Sequence, residues 1–208
     1  MIQMNQSNKT KMKSTPKKKF KIVQKTKDFR MFDFKTLDVE TDIPGQRTFR
    51  IQMFGINESG ETAALFVDDY QPFFYVKVPP KWSNYEVETW FNETKKSCGK
   101  YAGKDCLYVE LETHSKLYEF TASTSYKFAK CVFRTSGAFN QFRRAVQNAD
   151  EKMPTYESKI PPLLRYFHIY NVSPSGWIQI KENDMEIPEE QITSCTFEFK
   201  CSIEQIKP

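Results

Sequence analysis

Glycine and histidine are both scarce, with 7 and 2 among 208 residues, and the shortages exclude a good deal of chemistry. So few glycines leave no Gly-rich loop to wrap a phosphate. Two histidines, and no serine flanked by glycines, leave no evident nucleophile–base pair. The five cysteines (Cys98, Cys106, Cys131, Cys195, Cys201) form no C-x-x-C pair, and His114 and His168 stand at no recognisable metal-ligand spacing from them. Nor is there an apolar run near the ~18 residues that a membrane span needs, or an apolar signal segment at the N-terminus. The expectation is reduced thiols used as core filler in an intracellular compartment. No Asp-x-Asp cluster and no internal repeat is present.

What the chain has in quantity is aromatic. Phe, Tyr and Trp number 18, 10 and 3, and hydrophobic residues make up 39 %, enough to close a core. The length suits one large domain or two small ones, at the usual ~100–200 residues per domain. The net charge of +5 is unevenly placed. Between Lys9 and Arg30 stand ten basic side chains, Lys17, Lys18 and Lys19 among them, against the single acid Asp28. That is a local +9, so the rest of the chain carries −4. Residues 1–28 are poor in hydrophobics and read as a disordered basic tail. Such a block suits contact with a polyanion, nuclear import, or a solvated tag.

From there the periodicity alternates. Phe49–Phe54 and Ala63–Val67 read as strands joined by a turn over Asn57-Glu-Ser-Gly60, and Phe73–Val78 as a third strand between Pro72 and Pro79. Helical spacing follows: Ser83 or Asn84 caps a helix with Val87, Trp90 and Phe91 inward, closed by Gly99. Alternation over Leu107–Leu111, Leu117–Phe120 and Phe128–Phe133 predicts further strands. A second helix from Ser136 turns Phe139, Phe142, Val146 and Ala149 inward. A short helix opens at Pro161-Pro162, Trp177 enters a new strand, and Cys195, Phe197, Phe199 and Cys201 share one face of a last strand. The fold class is α+β, with helices packed on a mostly antiparallel sheet.

Two short acidic patterns imitate a two-metal 3′–5′ exonuclease: Asp38-Val-Glu40, and Tyr101-Ala-Gly-Lys-Asp105. The segment around Asp38 is too polar for a buried central strand, and the interval to Asp105 is too short for the intervening βα units. Both read as chance matches. The rings of Phe73, Phe74 and Tyr75 suit either stacking on unpaired bases or core packing.

Two stretches, read together, resemble the amino-terminal domain of family B, delta-like DNA polymerases, closest in style to those of large DNA viruses of eukaryotes. One runs Phe49-Arg-Ile-Gln-Met-Phe-Gly-Ile-Asn-Glu-Ser-Gly-Glu-Thr and on through Tyr70-Gln-Pro-Phe-Phe-Tyr-Val-Lys-Val78. The other is Tyr156-Glu-Ser-Lys-Ile-Pro-Pro-Leu-Leu-Arg-Tyr-Phe-His-Ile, followed by Pro174-Ser-Gly-Trp177. The resemblance implies that residues 29–208 form that domain, leading up to the exonuclease domain, with no catalytic residue and no metal of its own. Mg2+ is expected for the full polymerase. The implied partners are template DNA and the remaining exonuclease and polymerase domains, and the implied setting is a host nucleus or viral replication site. A Pro followed by an aromatic lines a uracil pocket in archaeal relatives. Here Phe73 stands for the usual Tyr, which argues against a uracil pocket but leaves the expectation of a template-facing Pro72 and Phe73; Arg165 and Trp177 are both expected to be structural, with Arg165 also offering a phosphate contact. Two alternatives remain: a stand-alone nucleic-acid-binding or adaptor domain, and a compact metal-dependent exonuclease.

Overall fold

A computed structural model describes residues 25–115, 124–149 and 151–208. Lys17, Lys18, Lys19 and the segment Leu117–Phe120 lie outside those residues. The described chain is α+β, as the alternating and helical segments required, but its strands divide between two sheets.

The first sheet is built on a strand that its polar composition conceals. β1 spans Thr26–Glu40 and pairs antiparallel with β2, Arg47–Ile56. Phe29 and Met31 point inward and are fully buried. A bulge at Phe32 then switches the inward parity, so that Phe34 continues the core and packs edge-to-face on Phe167 at 4.7 Å. Opposite the bulge stands Gly55, where a Cβ would lie 2.4 Å from the Arg30 carbonyl oxygen; only glycine allows that approach. β3, Thr62–Val67, returns from β2 through the expected turn, with Gly60 at φ 81°. β8, Trp177–Lys181, pairs with β1, and β9, Phe197–Lys200, lies parallel to β3, giving the order β8-β1-β2-β3-β9.

The run Asp68-Asp-Tyr-Gln-Pro72 leads the chain out of the first sheet, so β4, Phe73–Lys77, enters a second one. There α1 (Asn84–Ser97), the single-turn α2 (Lys100–Lys104), β5 (Cys106–Ser115), β6 (Ser125–Phe133), α3 (Ser136–Asn148) and β7 (Thr155–Tyr156) follow in order. Ser83 caps α1 reciprocally with Glu86, and Thr135 caps α3 by accepting the Ala138 N–H at 3.2 Å. The strand order β5-β6-β4-β7 with both long helices on one face is the split β-α-β-β-α-β arrangement.

Each sheet has its own core. Phe29, Met31, Ile51, Met53, Leu65, Tyr166 and Ile178 fill the first, covered by α4, Pro162–Tyr170. Phe74, Val76, Phe91, Cys131, Phe133, Phe139 and Phe142 fill the second, where Phe91 and Phe142 approach to 4.9 Å. Ala149, expected inward, is exposed, because α3 ends at Asn148 and the chain leaves in an extended conformation.

Candidate functional site

Pro72, Phe73 and Arg165 are 93 positions apart at their extremes in sequence, yet they meet where the two sheets join. Pro72 is buried, and its carbonyl accepts the Phe133 N–H at 2.9 Å. Arg165 projects from α4 and is 5 % exposed. Its Nη1 donates to the Phe73 carbonyl at 2.7 Å, and its Nη2 to the Glu157 carbonyl at 3.2 Å and to Glu157 Oε2 at 2.5 Å. The guanidinium also lies 4.3 Å from the Phe73 ring centroid, a cation–π contact on the half-buried ring. Arg165 thus fastens α4 to β4 and to the turn at Glu157, whose φ is 57°. A guanidinium does this better than an ammonium, because its fork serves two carbonyls and a carboxylate while its plane stacks on a ring.

The carboxylates that imitate a nuclease have other partners. Asp38 accepts the Ser136 N–H at 2.8 Å, the Ser136 hydroxyl at 2.7 Å and the Gly137 N–H at 3.1 Å. Asp105 accepts the Thr135 hydroxyl at 3.2 Å and pairs with Arg134 at 3.4 Å. Both acids therefore gather at the N-terminus of α3, where unpaired N–H groups and the helix dipole favour negative charge. Among the described residues, no three His, Cys, Asp or Glu side chains converge to hold a metal.

All five thiols are unpaired, and four of them are buried. Burial pushes Cys201 up to about 12 and raises Cys131 well above an ordinary thiol. These sulfurs fill space, as the alternation around Cys195 and Cys201 indicated. Trp177, read as structural, opens β8 but is 49 % exposed.

Strand register sorts the aromatic residues of the second sheet. Phe74 points into the core beneath α3, 5.2 Å from Phe139, while Phe73 and Tyr75 point the other way. On that outer face Tyr108, Val132 and Phe73 form one row and Glu110, Lys130, Tyr75 and Tyr156 the next. Glu112, Phe128 and Lys77 form a third, with His114 and Tyr126 beyond. The rings meet edge to face: Tyr75 on Phe73 at 5.7 Å, Tyr75 on His114 at 5.6 Å, and Phe128 on Tyr156 at 5.3 Å. Lys77 sits 4.4 Å from the Tyr126 ring and Lys130 sits 5.2 Å from Phe73. Lys130 also reaches Glu110 at 2.9 Å and Glu112 at 3.3 Å. Burial raises Glu112, but His114 and Lys130 outweigh it and hold the carboxyl below its ordinary range. Reading Phe73-Phe-Tyr75 as one unit missed this face; the alternation Tyr126-Lys-Phe128-Ala-Lys130 was the signal that pointed to it.

Residues 153–208 match the family described as "DNA polymerase family B, exonuclease domain", a stretch that takes in β7, α4, β8 and β9. The chain is similar to the DNA polymerase of Phaeocystis pouchetii virus, 31 % identical over 217 aligned residues that cover 90 % of the chain and 21 % of that protein. Against the DNA polymerase of Acanthamoeba polyphaga mimivirus the identity is 28 %, covering 81 % of the chain and 11 % of the relative. Against the DNA polymerase delta catalytic subunit of Schizosaccharomyces pombe it is 26 %, covering 71 % and 14 %. The fold is similar to that of the family B DNA polymerase from the hyperthermophilic archaeon Pyrobaculum calidifontis, with a TM-score of 0.57 and 15 % identity over 86 % of the chain and 20 % of that structure. The chain spans about a fifth or less of the length of these relatives.

Proposed function

We propose that this chain, a relative of family B DNA polymerases, works as the amino-terminal part of such an enzyme, binding the template strand and bracing the exonuclease and palm. The observation that carries this is the 31 % identity to a viral DNA polymerase sustained over 90 % of the chain, across both sheets. DNA and the remaining polymerase domains are then its partners, in a host nucleus or a viral replication site. Bond making and breaking, and the Mg2+ they use, belong to the other domains. Asp38 and Asp105 do not fit that metal, because both are already engaged at the start of α3.

Fluorescence anisotropy tests this reading with the 208-residue chain and labelled DNA. The chain should bind a primer–template with an unpaired 5′ overhang more tightly than the blunt duplex, and should leave labelled single-stranded DNA intact in Mg2+ or Mn2+. Asp38→Ala should cost about 1 kcal/mol of stability, the usual loss of a helix-capping side chain. Metal-dependent cleavage abolished by Asp38→Ala would instead establish the compact nuclease. Equal affinity for overhang and blunt ends would leave the adaptor reading.

A further inference from the structure

Where an antiparallel sheet has one face packed on helices, its other face is ordinarily polar. The second sheet departs from that pattern. α1 and α3 cover only the face bearing Phe74, Val76 and Cys131. The opposite face carries rings at successive outward positions of its two central strands, β4 and β6. Tyr108 on the neighbouring β5 is 45 % exposed, and Tyr75 is half-buried. Phe128 is only 4 % exposed and supports the rings around it from below. Aromatic side chains left half-buried on the outer face of a central strand, as Phe73 and Tyr75 are, beside an exposed ring on the edge strand β5, Tyr108, are suited to one class of ligand, unpaired bases, each of which has a flat π-face to stack. Lys77 and Lys130 stand among the rings and supply positive charge for a backbone.

We infer that this face binds a single strand of nucleic acid, stacking bases on Tyr75 and Tyr108 while Lys77 and Lys130 meet the phosphates. The inference rests on the template-binding reading above and specifies the surface that performs it. The glutamates define its character. Glu110 and Glu112 take up the charge of Lys130, so stacking contributes more to affinity than charge does. Binding here should therefore depend weakly on salt, unlike binding by the lysine-rich N-terminal segment.

The test uses the 208-residue chain and fluorescent single-stranded DNA and RNA of one sequence at about 0.5 M salt, where exposed charges are screened beyond a few ångströms. Tyr75→Ala should weaken binding roughly tenfold, the loss of one stacked base. Tyr75→Phe should retain it, and Glu110→Gln, measured at about 0.1 M salt, should strengthen it severalfold by removing one of the two acids that hold Lys130. Misfolding cannot produce that last gain. The DNA and RNA arms show which strand is preferred, and a preference that Tyr75→Ala abolishes supports the site. If Tyr75→Ala and Glu110→Gln both bind like the parent while the overhang preference persists, the face is not the site, although the template-binding reading survives. Absence of any single-strand binding overturns both. A concentration-dependent dimer that Tyr75→Ala dissociates would assign the face to a second copy of the chain and overturn the inference.

Discussion

Arg165 shows how much a single side chain can organise. The sequence reading of Arg165 as mainly structural requires partners, because arginine is rarely buried without them. The structure supplies the partners from elements that lie 92 and 8 positions away. Replacing it with alanine leaves the Phe73 and Glu157 carbonyls unanswered and uncovers a ring. The Glu157 carboxylate is 50 % exposed, and water solvates it when the pair is lost, so its share is small. Arg165→Ala should cost about 3 kcal/mol, from the lost hydrogen bonds to a charged group and the lost packing. Arg165→Lys should recover only part of this. Urea unfolding measures both, as a lower midpoint at an unchanged slope. The template-facing expectation for Pro72 and Phe73 comes from a family resemblance, with Arg165 read apart from them. The structure brings the three together, with Pro72 and Arg165 buried and committed to protein groups.

Among elements, β9 shows a face that alternation alone misjudges. Phe199 is buried as expected, but so is Glu198 on the opposite face, at 8 % exposure. Its carboxylate accepts the N–H groups of Ile192 and Thr193, both at 2.9 Å, and the Thr193 hydroxyl at 2.8 Å, tying down the preceding loop. Burial pushes this carboxyl up, but the donors prevail and hold it below its ordinary 4.5. An acid lowered on folding stabilises the protein in its ionised form. That stabilisation is therefore present above pH 4.5 and is lost as the pH falls through the lower, folded value. Glu198→Gln should flatten the acid limb of a stability–pH curve below pH 4.5, and a wild-type limb in this variant would show that the loop contacts carry nothing. β1 was missed for a related reason. Its inward residues are few, and the bulge at Phe32 breaks the period of two.

At the scale of the whole molecule the charge is divided, with seven lysines among residues 1–24 and a mildly acidic remainder. Deleting residues 1–24, which stops short of β1, should lower the slope of log affinity against log salt for single-stranded DNA by up to about 5, at ~0.7 per lysine. An unchanged slope would place all the salt-sensitive contacts on the two-sheet body. The α+β class, the turn at Gly60, the start of α1 at Ser83 and of α3 after Thr135, and the inward stripe Phe139, Phe142 and Val146 were all legible in sequence. They depend on backbone sterics, capping and periodicity, which act over a few residues. The division into two sheets, the burial of Arg165 between them, the meeting of Asp38 and Asp105 at α3, and the gathering of rings from β4, β5, β6 and β7 on one outer face were settled only by the tertiary structure. Each of these depends on which distant strands pair and in which register, and that choice is made by the collective burial of two cores, which no local pattern encodes.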